Sequence, residues 1–120
     1  MCRQGSLNFF FCGAVFDPVR RVVVGNSFMV NKSRDIFVTR LSEDGSGTNE
    51  VMRDLIPFDV TRKPVFDTER FVYFQEDEGS KFGRLDLDSM SFKKLADAPH
   101  EFGDRNGFFM DGNVFCFDVE

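Results

Sequence analysis

The sequence predicts an all-β fold made of antiparallel units that repeat about every 43 residues, and two observations carry this prediction. First, three pairs of apolar runs, each pair joined by a polar turn, share one register along the chain, at residues 22–30, 65–74 and 108–117. The turn of the last pair, Asp111-Gly112-Asn113, is a strong hairpin signal because glycine tolerates the positive φ of tight turns. Second, the paired runs are apolar on both faces, whereas the strands that follow them are more polar, as expected of small sheets stacked side by side.

The first unit is preceded by a leading strand, residues 7–16, which is short, apolar and rich in Phe. Asp17-Pro18 then predicts a turn. The remaining elements of this unit are a hairpin at 22–30 that turns at Gly25-Asn26-Ser27, a polar loop at 31–34, a strand at 35–41, a turn cluster at 42–48 and a strand at 49–55. For the last of these strands, a helical turn is the alternative.

The second unit repeats this order and the chain ends in a third hairpin. The predicted elements are a hairpin at 65–74, a loop at 75–80, strands at 81–87 and 91–95, and the final hairpin at 108–117. We therefore divide the single domain of residues 1–120 into units at about 20–62, 63–105 and 106–120, with the leading strand at 7–16.

Small four-stranded sheets that repeat every 40–50 residues or so are typical of the blades of a β-propeller. A two-sheet β-sandwich is the alternative. A propeller closes with four or more blades, and this chain supplies fewer, although the leading strand could join the last hairpin. We therefore expect that the chain associates with a second copy or belongs to a longer propeller.

Four segments together resemble a kelch repeat: Ser91-Phe92-Lys93-Lys94-Leu95, Pro99, Arg105, and the strand that begins at Asp111-Gly112. Residues 67–92 resemble the body of a second such repeat. The Gly-Gly doublet of the family is replaced by other residues here. The resemblance implies a protein that binds other proteins through loops on one face of a propeller, in many members to recruit them to ubiquitin ligases.

Composition excludes several classes of function. The net charge is −5 and no basic run exceeds two residues, which disfavours nucleic-acid and anionic-membrane partners. Three cysteines without the spacing of metal ligands predict reduced thiols and a cytoplasmic protein. No apolar run approaches the length of a membrane span.

Catalytic chemistry has little basis in the sequence. His100 is the only histidine, and no nucleophile motif lies near it. The acidic clusters Glu43-Asp44, Glu76-Asp77-Glu78 and Asp86-x-Asp88 lack the spacing of a calcium loop and are interpreted as solvated turns. The sequence therefore predicts no cofactor, no metal and no enzyme. A fragment of a propeller-type carbohydrate-active hydrolase, with carboxylates on the loops, is the alternative.

Basic residues recur just before each hairpin, at Arg20-Arg21, Arg62-Lys63 and Arg105. They could form a ring that binds an acidic peptide, or each could pair locally with Asp17, Asp59 or Asp104. For a protein partner, we expect contacts in the loops that follow the second strand of each unit and in the return loops. The candidate residues are Lys32, Arg34, Glu76, Asp77, Glu78, His100, Glu101 and Arg105.

Overall fold

The computed structural model describes residues 13–26, 34–60, 64–99, 101, 108–110 and 113–115, and for the last two segments only the backbone. These residues form β-strands and connecting turns. Within them, no helix is long and apolar enough to cross a membrane.

Two antiparallel four-stranded sheets, each in the order of the chain, account for most of the described residues. The first sheet contains β1 (Gly13–Asp17), β2 (Val22–Asn26), β3 (Ile36–Leu41) and β4 (Gly47–Met52). The second contains β5 (Val65–Phe66), β6 (Phe71–Gln75), β7 (Phe82–Asp86) and β8 (Ser91–Lys94). A separate hairpin follows, made of β9 (Phe108–Met110) and β10 (Asn113–Phe115).

The prediction of an all-β fold is confirmed, and so are strands at β3, β4, β7 and β8 and hairpins at β5–β6 and β9–β10. The predicted first hairpin is wrong in its described half. Gly25 and Asn26 do not turn the chain, because they lie within β2 and pair with β1. The described part of the leading strand, β1, therefore belongs to the first sheet rather than to the last hairpin.

This pairing changes the register of the repeat. The strand that corresponds to β6 is β2, since Leu41 N–H donates to the Arg21 carbonyl at 2.9 Å just as Leu87 N–H donates to the Arg70 carbonyl at 3.0 Å. The predicted repeat instead pairs Val22 with Val65, the start of β5. The first two sheets therefore do not repeat with the predicted spacing of about 43 residues.

The core lies between the two sheets. Each sheet contributes one face, and the described part of the connection between them, residues 53–60, adds three buried apolar side chains. The buried members are Val22, Val24, Ile36 and Val38 from the first sheet, Ile56, Phe58 and Val60 from the connection, and Val72, Phe74, Leu85 and Leu87 from the second. Phe92 joins this core from β8, with its ring centroid 6.0 Å from that of Phe58 and 6.1 Å from that of Phe74.

The two sheets pack together through faces that do not correspond to each other. The face that the first sheet buries corresponds to the face that the second sheet does not. In β2 the buried residues are Val22 and Val24, which correspond to Phe71 and Tyr73 of β6 by the hydrogen bonds above. In β6, however, the fully buried side chain next to Phe71 is Val72. Because neighbouring residues in a strand point to opposite faces, the first sheet buries one face and the second sheet buries the other. The packing is therefore head to tail.

A glycine permits the close approach of the Phe92 ring of β8 to the neighbouring strand β7. A Cβ at Gly83 would lie 2.6 Å from the Lys93 carbonyl oxygen and 2.7 Å from ring atoms of Phe92. The ring thus lies over a position without a side chain, which is a known way of compensating for a glycine in a strand.

Candidate interaction surface

The strand order places the connections at two ends of the sheets. The short turns after β1, β3, β5 and β7 lie at one end, which we call the turn end. The connections after β2, β4, β6 and β8 lie at the other, which we call the loop end. All eight candidate partner-binding residues belong in sequence to connections of the loop end.

Three connections of the loop end are tied together by hydrogen bonds. Arg34, just before β3, donates from Nε to Asp59 Oδ1 at 2.9 Å, and Ile56 N–H donates to the Arg34 carbonyl at 3.0 Å. Asp77, in the loop after β6, donates its N–H to the Asp59 carbonyl at 2.9 Å. The connection between the sheets therefore fixes the β6–β7 loop beside Arg34. The hydrogen bond and charge of Asp59 raise the pKa of Arg34.

The acidic residues of the β6–β7 loop have different roles. Glu76 closes the loop: its N–H donates to the Lys81 carbonyl at 2.8 Å, and its Oε1 accepts from Lys81 N–H at 3.2 Å. A Cβ at Gly79 would meet the carboxylate end of the Glu76 side chain, which would have to shift. Glu78 is exposed and has a φ of 55°, so it lies at the turn of the loop. The outward charge of this loop is thus carried by Glu78 and the half-buried Asp77.

The structure brings Arg34, Glu76, Asp77 and Glu78 into two neighbouring loops of one surface. The segment after β8 also reaches this end, because Ala98 N–H donates to the Ser80 carbonyl at 2.8 Å. Glu101, a little further along, is exposed. The other predicted candidates, Lys32, His100 and Arg105, lie outside the described residues.

The turn end holds an arginine–aspartate network that the sequence analysis found only in part. Arg20 Nη1 donates to the buried Asp17 Oδ2 at 2.7 Å and to the Glu69 carbonyl at 2.7 Å, and Arg20 Nε donates to Asp88 Oδ1 at 2.8 Å. The predicted local pairing with Asp17 is confirmed. Because its donors are engaged by the second sheet, Arg20 is not free to bind an acidic peptide. Arg62, Lys63 and Arg105 lie outside the described residues.

Arg70 extends this network within the second sheet. It donates from Nη2 to Asp86 Oδ2 at 2.7 Å and from Nε to Asp86 Oδ1 at 3.0 Å, and it lies 3.3 Å from Asp88 Oδ2. The hydrogen bond from Arg70 holds the pKa of Asp86 well below its ordinary value. Burial alone would raise the pKa of Asp17, but hydrogen bonds from Arg20 and from backbone N–H groups outweigh it and lower that pKa. The network therefore joins the two sheets, since Arg20 of the first sheet donates to Asp88 and to the Glu69 carbonyl of the second.

A sequence signal for this network exists. Asp17-x-x-Arg20 and Asp67-x-x-Arg70 have the same spacing and start the turns after β1 and β5. In both turns the aspartate Oδ1 accepts backbone N–H groups two and three residues later, as in Asx-type turns. The shared spacing matches the turn after β1 with the turn after β5, and hence β2 with β6, which the apolar runs alone did not. Arg20 nevertheless lies one residue before the position that corresponds to Arg70 by the backbone hydrogen bonds.

Among the described carboxylates, the clear pKa shifts are all in one direction. Those whose pKa departs clearly from its ordinary value all have it lowered, namely Asp17, Asp44, Asp86 and Asp97. A glycosidase requires one carboxyl group with a raised pKa to serve as the acid. Across the described part of the chain, no group of three or more His, Cys, Asp or Glu residues is placed to hold a metal ion.

The chain matches no model of a known protein family and no curated protein sequence.

Proposed function

We propose that this chain is a non-enzymatic protein-interaction module of the kelch-like propeller type, whose loop end binds a partner protein. The observation that carries the proposal is the anchoring of the β6–β7 loop. Its backbone is fixed by Asp59, while Asp77 and Glu78 provide charge at the surface. A loop ordered before binding loses less conformational entropy when it binds, which favours affinity. The acidic loop suits a basic segment of the partner.

Two features of the packing support a propeller rather than a sandwich. The sheets stack head to tail, which is the relation between successive blades around an axis, whereas a sandwich built from two related sheets joins like faces. In addition, the first strands of the three units lie side by side, with β5 next to both β1 and β9. This is the arrangement of inner strands around the centre of a propeller.

The kelch resemblance extends the proposal to the role of the partner. Members of that family often present a bound protein to a ubiquitin ligase, and we propose the same for this chain. The proposed adaptor activity depends on the loop end, because loops on one face of such propellers provide the binding residues.

The test compares two double charge reversals. Asp77→Lys with Glu78→Lys alters the loop end, while Glu43→Lys with Glu69→Lys makes the same change in charge at exposed positions of the turn end. Glu76 is left intact because it closes the loop. Each protein is immobilised, and the proteins it retains from a lysate of the source cells are quantified by mass spectrometry.

We expect the loop-end variant to lose a specific partner by about tenfold or more, because like charges across an interface oppose binding. The turn-end variant should retain that partner. Equal retention by both variants, or equal loss, would show that the loop end is not the binding surface. Circular dichroism establishes that both variants remain folded.

A further inference from the structure

One edge of the first sheet is open. Its last strand, β4, pairs with β3 on one side, and no described strand pairs with its other side. Residues 47–51 of β4 are all exposed. Proteins normally protect such edges with lysines, prolines, bulges or short strands, because unpaired backbone groups attract other strands. β4 has six residues in an unbroken register with β3, and Glu50 is its only charged residue.

The corresponding edge of the second sheet is protected. β8 is also the last strand of its sheet, but it has only four residues, and two of them are Lys93 and Lys94. Lysine at an edge is one of the common means of preventing a second strand from pairing there. The chain therefore blocks the edge of one sheet and leaves that of the other available.

The hydrogen bonds of β3 decide which backbone groups of β4 face the open edge. Leu41 N–H donates to the Arg21 carbonyl, so the backbone groups of Leu41 point towards β2. Those of its neighbour Arg40 point to the other side, towards Thr48 of β4. Thr48 and every second residue after it therefore bond to β3. The residues between them direct their N–H and C=O groups to the open edge, and these are Gly47, Asn49 and Val51.

These edge-facing groups are complementary to themselves. When β4 of a second copy lies antiparallel to β4 with Asn49 opposite Asn49, Gly47 of each copy lies opposite Val51 of the other. The three pairs then each exchange two backbone hydrogen bonds, and Glu50 lies opposite Thr48. Every other register that pairs edge-facing residues loses at least one of the three pairs. The register with Asn49 opposite Val51 also places Glu50 opposite Glu50, which is unfavourable for like charges.

We propose that β4 binds β4 of a second copy in the first of these registers and forms a twofold-symmetric dimer. Such a contact, in which both copies use the same surface, is typical of homodimers. On the outer face of the first sheet, the side away from the second sheet, it covers Val51, which is 39% exposed. Val51 then lies opposite Gly47, where a Cβ would be 3.2 Å from the Leu41 side chain, so it gains an apolar neighbour. β4 shares no residue with the β6–β7 loop, so the dimer is independent of the proposed partner site.

The experiment is sedimentation velocity of the full chain over a dilution series. One strand is a small contact, so we expect a dissociation constant of about 10–100 μM and a mass that rises from 13.8 kDa towards twice that value. Asn49→Pro removes an N–H that faces the edge and leaves the hydrogen bonds to β3 intact, as proline does at edge positions. It should weaken the dimer by about tenfold or more.

Lys94→Pro is the matched control at the other edge. Leu95 N–H donates to the Phe82 carbonyl of β7, so the N–H of its neighbour Lys94 faces the open edge of β8. The control variant should keep the dissociation constant of the wild-type chain. Circular dichroism establishes that each variant remains folded.

Substitutions of Thr48 test the register. Thr48→Glu places a second carboxylate opposite Glu50 of the other copy, whereas Thr48→Lys places an ammonium group there. Because the pair occurs twice in the dimer, we expect about fivefold weaker association for the glutamate variant and about fivefold stronger association for the lysine variant. Neither substitution removes a backbone hydrogen bond, so both decide the matter if Asn49→Pro fails to fold.

Three results would overturn the proposal. A folded wild-type chain that stays at 13.8 kDa up to about 1 mM would show that the edge does not pair with itself. A dimer that Asn49→Pro leaves unchanged, or that Lys94→Pro weakens equally, would place the contact away from β4. A change of the same sign for both Thr48 variants would exclude the proposed register.

Discussion

Phe58 is the largest fully buried side chain of the connection between the sheets, and its replacement by alanine tests the shared core directly. The side chain is 1% exposed. Its ring meets that of Phe92 edge to face, with centroids 6.0 Å apart and planes inclined by 66°. Phe58→Ala removes these contacts and leaves a cavity between two sheets that are each fixed by their own backbone hydrogen bonds.

Because the sheets cannot easily collapse into the cavity, the cost should lie in the upper part of the range for such changes, at about 4–5 kcal/mol. About 1 kcal/mol of this comes from the lost ring pair. A domain of this size is stable by only about 5–15 kcal/mol, so the variant should lose between about a third and nearly all of its stability. Val19→Ala, at an exposed position, should change the stability by no more than about 0.5 kcal/mol.

The assay is urea unfolding followed by far-ultraviolet circular dichroism, since the chain has no Trp. All variants are compared at one protein concentration because association would add to the apparent stability. A loss of less than about 1 kcal/mol for Phe58→Ala would refute the reasoning, as it would show that the connection does not pack between the sheets. Two separate transitions in the wild-type chain would equally show that the sheets unfold independently.

Two further predictions concern the turn end. The pKa of Asp86 is lowered from 3.8 by the Arg70 hydrogen bond, so its stabilising effect is complete above about pH 4 and is lost as the pH falls through the folded-state value. Asp86→Asn should therefore lower the urea midpoint near neutral pH, and the difference in midpoint from wild type should shrink towards about pH 2. A difference in midpoint that does not change with pH would show that ionisation of Asp86 does not stabilise the fold. Thr68 has a φ of 67°, which is unfavourable for a β-branched residue. Thr68→Gly should raise the free energy of unfolding by about 1 kcal/mol, whereas Thr48→Gly within β4 should lower it by a similar amount; the same sign for both would contradict the assignment of strain.

The parts of the fold that the sequence predicted are those in which local signals and strand pairing agree. The hairpin β5–β6 was found because Asp67 starts a polar turn between two apolar runs and accepts the backbone N–H groups of that turn. The first hairpin was misplaced because Gly25-Asn26 has the composition of a turn. In the sheet, Gly25 pairs with Ala14 on one side and Phe37 on the other, and pairing on both sides overrides local preference.

The candidate surface, too, could be predicted from the sequence only where the signal is local. The sequence assigned Arg34 and the β6–β7 loop to one end of the units, since both follow the second strand of a sheet. It could not predict that Asp59 joins them, because this contact requires the path of the connection between the sheets. The contact between Arg20 and Asp88 joins residues 68 positions apart and depends on how the sheets stack. Long-range pairs of this kind have no local signature.

The outer face of the first sheet bears on whether the two sheets form a closed sandwich. A sandwich of two sheets buries its two inner faces and exposes two polar ones. Here the outer face of the first sheet has Phe16 and Val51 where a sandwich would have charged residues, while Glu50, next in sequence to Val51, lies with Arg40 on the side of the core. An apolar outer face and a core-side edge that carries charges are expected when each sheet is one member of a longer stack. Under the proposed propeller, the completed ring rather than the single chain would be the unit on which the proposed binding surface should be studied.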